Sequence, residues 1–421
     1  MIKLAERQFA EGGPQKFAMS LTNLATRLRD DASVAFTLHD LAVICAPEDA
    51  AVHSARAETL RALGRLDEAL AAYDRAVEDF PDNAVARTGR AETLRAVGRL
   101  DEALAAYDRA VEDFPQDAVP RNGRAETLRA LGRLKEALAA YDRAVEDFPQ
   151  DAVARNGRAE TLRALGRLDE ALAAYDRAVG EFPHNIVARA GRAETLRALG
   201  RLDEALAAYD RAVQDFPQDA VTRNGRAVIL ADIGRLDEAR NALQAAAQTP
   251  KTDEDWIAIH ILSMIELRDG ATNRLATNLE YYAKKCPYRE QRRYFETSLV
   301  VVRISLKQIK EARRTIADLS MRPDFNQNER AALKLIEAHA EAADGDLIAA
   351  RRSIAAASNI VPYEQFRLRQ LQREIENRFG MSNRSAPSKP EDIAAGDRKL
   401  VRLEMDFFVD CARARSERRA A

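Results

Sequence analysis

The sequence predicts an all-α fold, a solenoid of stacked helical hairpins, and three observations predict it. The stretch RAETLRALGRLDEALAAYDRAVEDFP, Arg56 to Pro81, returns almost letter for letter from Arg90, Arg124, Arg158 and Arg192, each time 34 residues on. Each copy is split by one glycine: Gly64, Gly98, Gly132, Gly166 and Gly200, with Gly234 splitting a sixth, diverged unit. On either side of the glycine the apolar residues step by three and four, Ala91, Leu94 and Val97 before it, Leu100, Ala103, Leu104, Tyr107, Ala110, Val111 and Phe114 after it. That is the period of two helices, each with one apolar stripe. One hairpin cannot bury both stripes, so neighbours must stack into a continuous core.

Taken in order, residues 1–49 read as a diverged leading hairpin and cap. Pro47 stands 34 residues before Pro81, and Ala35 and Ala42 keep the small positions of later units. Residues 50–250 are the array of near-identical 34-residue units. In the unit Ala84 to Asp117, Gly98 suits a left-handed cap after the first helix. Asp101 is expected to accept a backbone N–H at the start of the second helix. Lys135 stands in that place in one copy, which predicts a weaker helix start there. Pro115 follows the second helix, and Asp117 caps the next. Ala91, Ala103 and Ala110 let helices approach closely. Residues 251–380 read as degenerate hairpins of the same kind, since the spacing from Gly64 to Pro81 recurs from Gly270 to Pro287 and from Gly345 to Pro362. EQFRLRQLQREIENRFG then closes the array at Gly380. Residues 381–396 are a linker by composition. Residues 397–421 form an amphipathic C-terminal helix with Leu400, Leu403, Phe407 and Cys411 in a stripe. That helix has three destinations: a cap on the last hairpin, an internal ligand, or a second copy of the chain.

The period and pattern resemble the tetratricopeptide repeat (TPR) family. Ala91, Ala103 and Ala110 fall on its small positions and Tyr107 on its aromatic one. The resemblance implies antiparallel helix pairs in a right-handed superhelix whose first helices line a concave groove. One departure stands out: Arg87 and Arg90, with Arg121 and Arg124 in the next unit, occupy places the family usually gives to apolar residues. The groove positions implied by the resemblance include Asn122, Asn156 and Asn224; Glu92, Glu126, Glu160 and Glu194; and Arg95, Arg129, Arg163 and Arg197. Gly123, Gly157, Gly191 and Gly225 also recur there. A helical glycine costs about 1 kcal/mol against alanine, so each implies a close approach by another helix or by a partner's backbone.

Charge excludes several function classes. The 65 basic and 67 acidic residues leave a formal net charge of -2, without the basic footprint of a nucleic-acid binder. Within each unit the first helix is basic and the second acidic, a pattern that fits charge matching between helices or a groove with polar ladders. AKKCPYREQRRYF, from Ala283, is the one basic cluster with aromatics, and Tyr294 and Phe295 in it suit a helix core. His39, His53, His184, His260 and His339 stand at no metal-ligand spacing, and no nucleotide or nucleophile motif occurs. The repeated Asp–Glu pair at Asp101 and Glu102 fits a helix N-terminus rather than acid–base chemistry. The expectation is therefore no enzyme, no metal and no cofactor. Three cysteines without a CxxC spacing and the lack of an apolar leader point to a cytoplasmic protein. No segment reaches the ~20 apolar residues of a membrane span. The expected role is a protein–protein interaction scaffold or adaptor that binds a peptide or helix in the groove. The alternative is a regulatory or targeting subunit of an enzyme complex, its partner held by residues 251–421. Self-association through the C-terminal helix is a further expectation.

Overall fold

A computed structural model describes residues 2–28, 32–248, 250–269, 272–322, 327–360, 371–373, 375–376 and 379. The expected linker, the amphipathic helix at 397–421 and most of the closing helix before Gly380 lie outside the described residues. The described elements are all helices. By its contacts the chain divides into two compact units, residues 1–154 and 155–421.

The first unit opens with α1 (Ile2–Arg27) and α2 (Ala32–Cys45). α1 is bent at Gly13, whose φ of 73° breaks the helix just before Pro14. Three hairpins follow: α3 (Ala50–Ala62) with α4 (Leu66–Asp79), α5 (Ala84–Val97) with α6 (Leu100–Asp113), and α7 (Ala118–Ala130) with α8 (Leu134–Asp147). Each helix packs on the next, and α3 also meets α5, and α5 meets α7. This nearest-neighbour pattern is that of a solenoid. The boundary between the units falls inside α9 (Ala152–Ala164).

The second unit continues with α10 (Leu168–Glu181), α11 (Ile186–Ala198), α12 (Leu202–Asp215), α13 (Ala220–Asp232) and α14 (Leu236–Gln248). Then come α15 (Asp253–Asp269), α16 (Asn273–Lys285), α17 (Arg289–Ser305), α18 (Ile309–Ser320), α19 (Gln327–Ala343) and α20 (Leu347–Ile360). α11, α13, α15, α17 and α19 each meet the next in that series.

The turn chemistry is as the sequence implies at three of four places. Gly98 is left-handed at φ 89°, and the Arg99 N–H closes onto the Leu94 carbonyl at 2.9 Å. Asp117 accepts from the Val119 N–H at 2.9 Å as the cap of α7. Pro115 lies just past α6 and its C-cap residue Phe114. The fourth is a correction. Asp101 does not cap α6: the N-cap is Arg99, without a side-chain cap bond, and Asp101 sits inside the first turn. Arg99 instead reaches forward to Glu102 with two parallel bonds of 2.7 and 2.5 Å. Arg133 and Glu136 repeat this fork in the copy with Lys135. The Lys135 substitution therefore removes no cap; what remains is a positive charge where the helix dipole favours a negative one.

Ala91, Ala103 and Ala110 are fully buried, as is Tyr107. From α15 onward the core is aromatic and aliphatic: Trp256, Phe295 and Tyr294 join Leu299, Val300 and Leu335 in one continuous cluster. Tyr294 and Phe295 are core residues, and His260 lies edge-on to Phe295 with ring centroids 5.6 Å apart. Burial lowers the His260 pKa to about 4, so it is neutral here, bonded to the Ser298 hydroxyl at 2.6 Å. After α20, Leu371 and Ile375 are buried in the same cluster, and the Phe379 ring lies 5.8 Å from His339 of α19. Among the described residues no helix is long and apolar enough to cross a membrane, and no group of side chains could hold a metal ion.

Candidate interaction face on the first helices

The face is built by a register that repeats every 34 residues. In the first unit, Arg90 on α5 pairs with Asp74 on α4, and Arg124 on α7 with Asp108 on α6, both at 2.5 Å. Arg121 pairs with Asp147 at 2.8 Å across its own hairpin, and its guanidinium lies 5.5 Å from the Phe148 ring. The arginines in the family's apolar places are therefore joints, each compensated by the acidic second helix. The second unit repeats them, with Arg192 on Asp176 and Arg226 on Asp210 at 2.5 Å.

The candidate groove side chains are joined in the same way. In the first unit Arg61 links Glu58 at 2.6 Å to Glu92 at 3.1 Å, so one guanidinium ties α3 to α5. Arg95 lies 3.7 Å from Glu126, which also holds Arg129 at 2.8 Å. Tyr73 donates to Glu58 at 3.1 Å and Tyr141 to Glu126 at 3.2 Å. Burial, then the Glu58 carboxylate, holds the Tyr73 phenol well above its usual range, so it stays a donor. Asn122 donates to Asp151 at 2.5 Å, the acidic residue next before α9.

In the second unit Arg163 is 3.6 Å from Glu160, and Asn156 donates to Asn185, the cap of α11, at 3.3 Å. The ladder then ends. Glu and Arg of the earlier units give way to Val228 and Ala231 on α13, and Asp232 appears one residue on. Arg197 turns to it at 2.6 Å, with side-chain exposures of 5% and 0%, and keeps Glu194 at 3.5 Å. Asn224 donates to the Glu254 carbonyl at 3.2 Å. The Oδ1 atoms of Asn122, Asn156 and Asn224 are buried without a hydrogen-bond partner among the described residues.

The recurring helical glycines answer to a packing partner. A Cβ placed on Gly123 would lie 2.3 Å from the Tyr107 ring of the preceding unit, and Gly89, Gly191 and Gly225 meet Tyr73, Tyr175 and Tyr209 in the same way. Where the preceding unit has His39 in place of tyrosine, the matching residue is Ala55 rather than glycine.

One set of surface residues escapes a reading centred on polar side chains. Val85, Val119 and Val153, each second in its first helix, are 65%, 51% and 48% exposed in the first unit. A valine repeated every 34 residues at a helix start was the available signal.

A regular succession of helical hairpins, each helix packed on its neighbours in the chain, is a helical-repeat protein. The family model for the tetratricopeptide repeat matches residues 54–118 and 122–186, and a second model of the same description matches 162–222 and 196–260. Residues 54–118 and 122–260 are thus tetratricopeptide repeats, and an array of such repeats is, in general terms, a protein-interaction scaffold. No curated protein matches it. Similar solved structures include a tetratricopeptide repeat protein from Parabacteroides merdae, at 20% identity and a TM-score of 0.48, covering 59% of this chain and 98% of that one. Another is a thermophilic TPR protein of Thermus thermophilus, at 28% identity and a TM-score of 0.39, covering 43% and 99%. YrrB, described as a TPR protein with an unusual peptide-binding site, has 24% identity and a TM-score of 0.32, covering 45% and 96%.

Proposed function

We propose that the chain is an adaptor whose first-helix face binds an extended peptide or a helix of another protein. The observation that carries this reading is the exposed row Val85, Val119 and Val153, set beside polar side chains already tied to one another. Apolar side chains left in water at a fixed repeat give a partner its contact energy, about 1.5–3 kcal/mol for each fully buried valine-sized group. Glu92, Glu126, Arg95 and Arg129 within the first unit, and Glu160, Glu194, Arg163 and Arg197 within the second, hold the first helices of each unit in register and contribute charge beside them. Asn122, Asn156 and Asn224 each keep an unpaired acceptor.

The test is selection of peptides from a random display library on the full chain, followed by anisotropy titration. The double variant Val119→Glu/Val153→Glu is expected to weaken the selected peptide at least tenfold, while Arg109→Glu, on the outward face of α6, leaves it unchanged. Equal affinity for all three proteins, or a library that yields no binder, overturns the reading.

A further inference from the structure

The second helix of each repeat turns a charged face to solvent: Glu68, Arg75 and Glu78 on α4, Glu102, Arg109 and Glu112 on α6, Glu136, Arg143 and Glu146 on α8, all exposed. On α2 the same places hold Val34, Leu41 and Ile44, which are 40%, 46% and 76% exposed. The register is fixed by two sets of contacts. Asp40 pairs with Arg56 as Asp74 pairs with Arg90, and Ala35 and Ala42 are buried like Ala69 and Ala76. The face extends further. Met19, 61% exposed, stands where α5 has Arg87, and Arg87 reaches Asp113, the counterpart of Cys45. Met19 therefore continues the apolar surface at the end of α2 that carries Ile44.

We propose that this face is a self-association surface, on which α2 of a second copy of this chain packs. Val34, exposed Thr37, Leu41 and Ile44 are spaced three, four and three residues apart, the seam spacing with which one helix packs along another. A second α2 supplies the same seam, and an isologous pair about a two-fold axis is the commonest way for a chain to cover its own patch. Charge favours this occupant. The only formally charged side chain on α2 is Asp40, already tied to Arg56, and His39 is buried against Thr59. Two copies therefore meet without opposed like charges, whereas a strongly acidic or basic helix finds no free counter-charge on α2. Area sets the strength. Four partly exposed side chains cover roughly half of the ~800 Å² per partner of a standard interface, so the dimer is weak and depends on concentration.

The experiment is sedimentation velocity on the full chain from about 5 to about 500 µM, the range in which an interface this small dissociates. The wild type is expected to rise from monomer toward twice the mass. The variant Val34→Glu/Leu41→Arg/Ile44→Glu, which writes into α2 the residues α4 carries, is expected to stay monomeric with unchanged circular dichroism. The repeats already fold with those residues at those places, and Ile44→Glu alone gives the same readout should the triple variant lose helix. A wild type that is monomeric throughout overturns the proposal, and so does a dimer that the folded variants retain.

Discussion

Between Arg56 and Ala154 the hairpins meet through small apolar clusters rimmed by ion pairs; between Asp253 and Ile360 they meet through large apolar side chains. A joint in the first stretch takes a handful of residues. Ala57, Tyr73, Ala76 and Ala86 form one apolar cluster, and Leu70, Leu94 and Ala103 form the next. Around them run the Arg–Asp pairs and the Glu–Arg ladder. In the second stretch the first helices lengthen to 17 residues in α15, α17 and α19, from 13 or 14 in α3 to α13. Their side chains belong to one large cluster, which already begins with Leu172, Leu196 and Tyr209 in the last repeats. The lesson is about copying. A joint whose every partner lies at a fixed offset in the 34-residue frame survives duplication intact. A core in which Trp256 meets Phe295 at 6.0 Å and Tyr282 meets the same ring at 5.6 Å is a single fit, and no copy of one part would satisfy another.

The contrast can be broken most severely in the apolar region. Phe295→Ala removes a fully buried ring and is expected to cost about 3–5 kcal/mol. Urea unfolding followed by circular dichroism should then show the transition moved to lower denaturant; a midpoint within error of wild type refutes the single-core account.

The boundary between the two regimes is probed by Arg197. Replacing it with alanine removes the Arg197 guanidinium from Asp232, whose side chain has 0% exposure, at an expected cost of about 3 kcal/mol, the lower end for breaking a buried pair. Arg99→Ala, at a pair exposed by 46% and 56%, should leave the unfolding midpoint unmoved, because solvent screens an exposed pair. Equal losses would mean that burial does not separate the two kinds of pair.

Gly123→Ala tests the repeated joint. Alanine is the better helix former by roughly 1 kcal/mol, yet its Cβ meets the Tyr107 ring, and the net expectation is a loss of about 1–3 kcal/mol. Adding Tyr107→His recreates the combination His39, Ala55 and Thr59 around Thr127, and should recover part of that loss in a double-mutant cycle. Additive effects would sever the Tyr–Gly pairing.

Lys135→Asp is the mildest change. Arg133, not residue 135, occupies the N-cap of α8, so the change restores no cap bond and puts a negative charge in the first turn, where the dipole favours it. The expected gain is about 0.3–0.5 kcal/mol, and a gain above ~1 kcal/mol in thermal melts would restore a capping role.

The sequence by itself determined the helices, their pairing and the places of turns, because these depend on local offsets: glycine where φ must be positive, proline past a helix end, alanine where two helices cross. It also determined that Tyr107 and Ala110 are core, since the period of the stripe says which side is inward. The tertiary structure alone decided what each polar side chain does. Asp101 and Glu102 are adjacent acids at a helix start, and only packing shows that Arg99 takes the second and leaves the first in solvent. The candidate face residues Glu92, Glu126, Arg95 and Arg129 were legible as a recurring set, but a charge on a helix surface pairs with whatever lies within about 4 Å, and that distance is set by how hairpins stack. The same holds for Val34, Leu41 and Ile44. Their apolar character is written in the chain, yet their exposure follows from the stacking of α2 on its neighbours, which turns its alanine side inward and leaves these three outside.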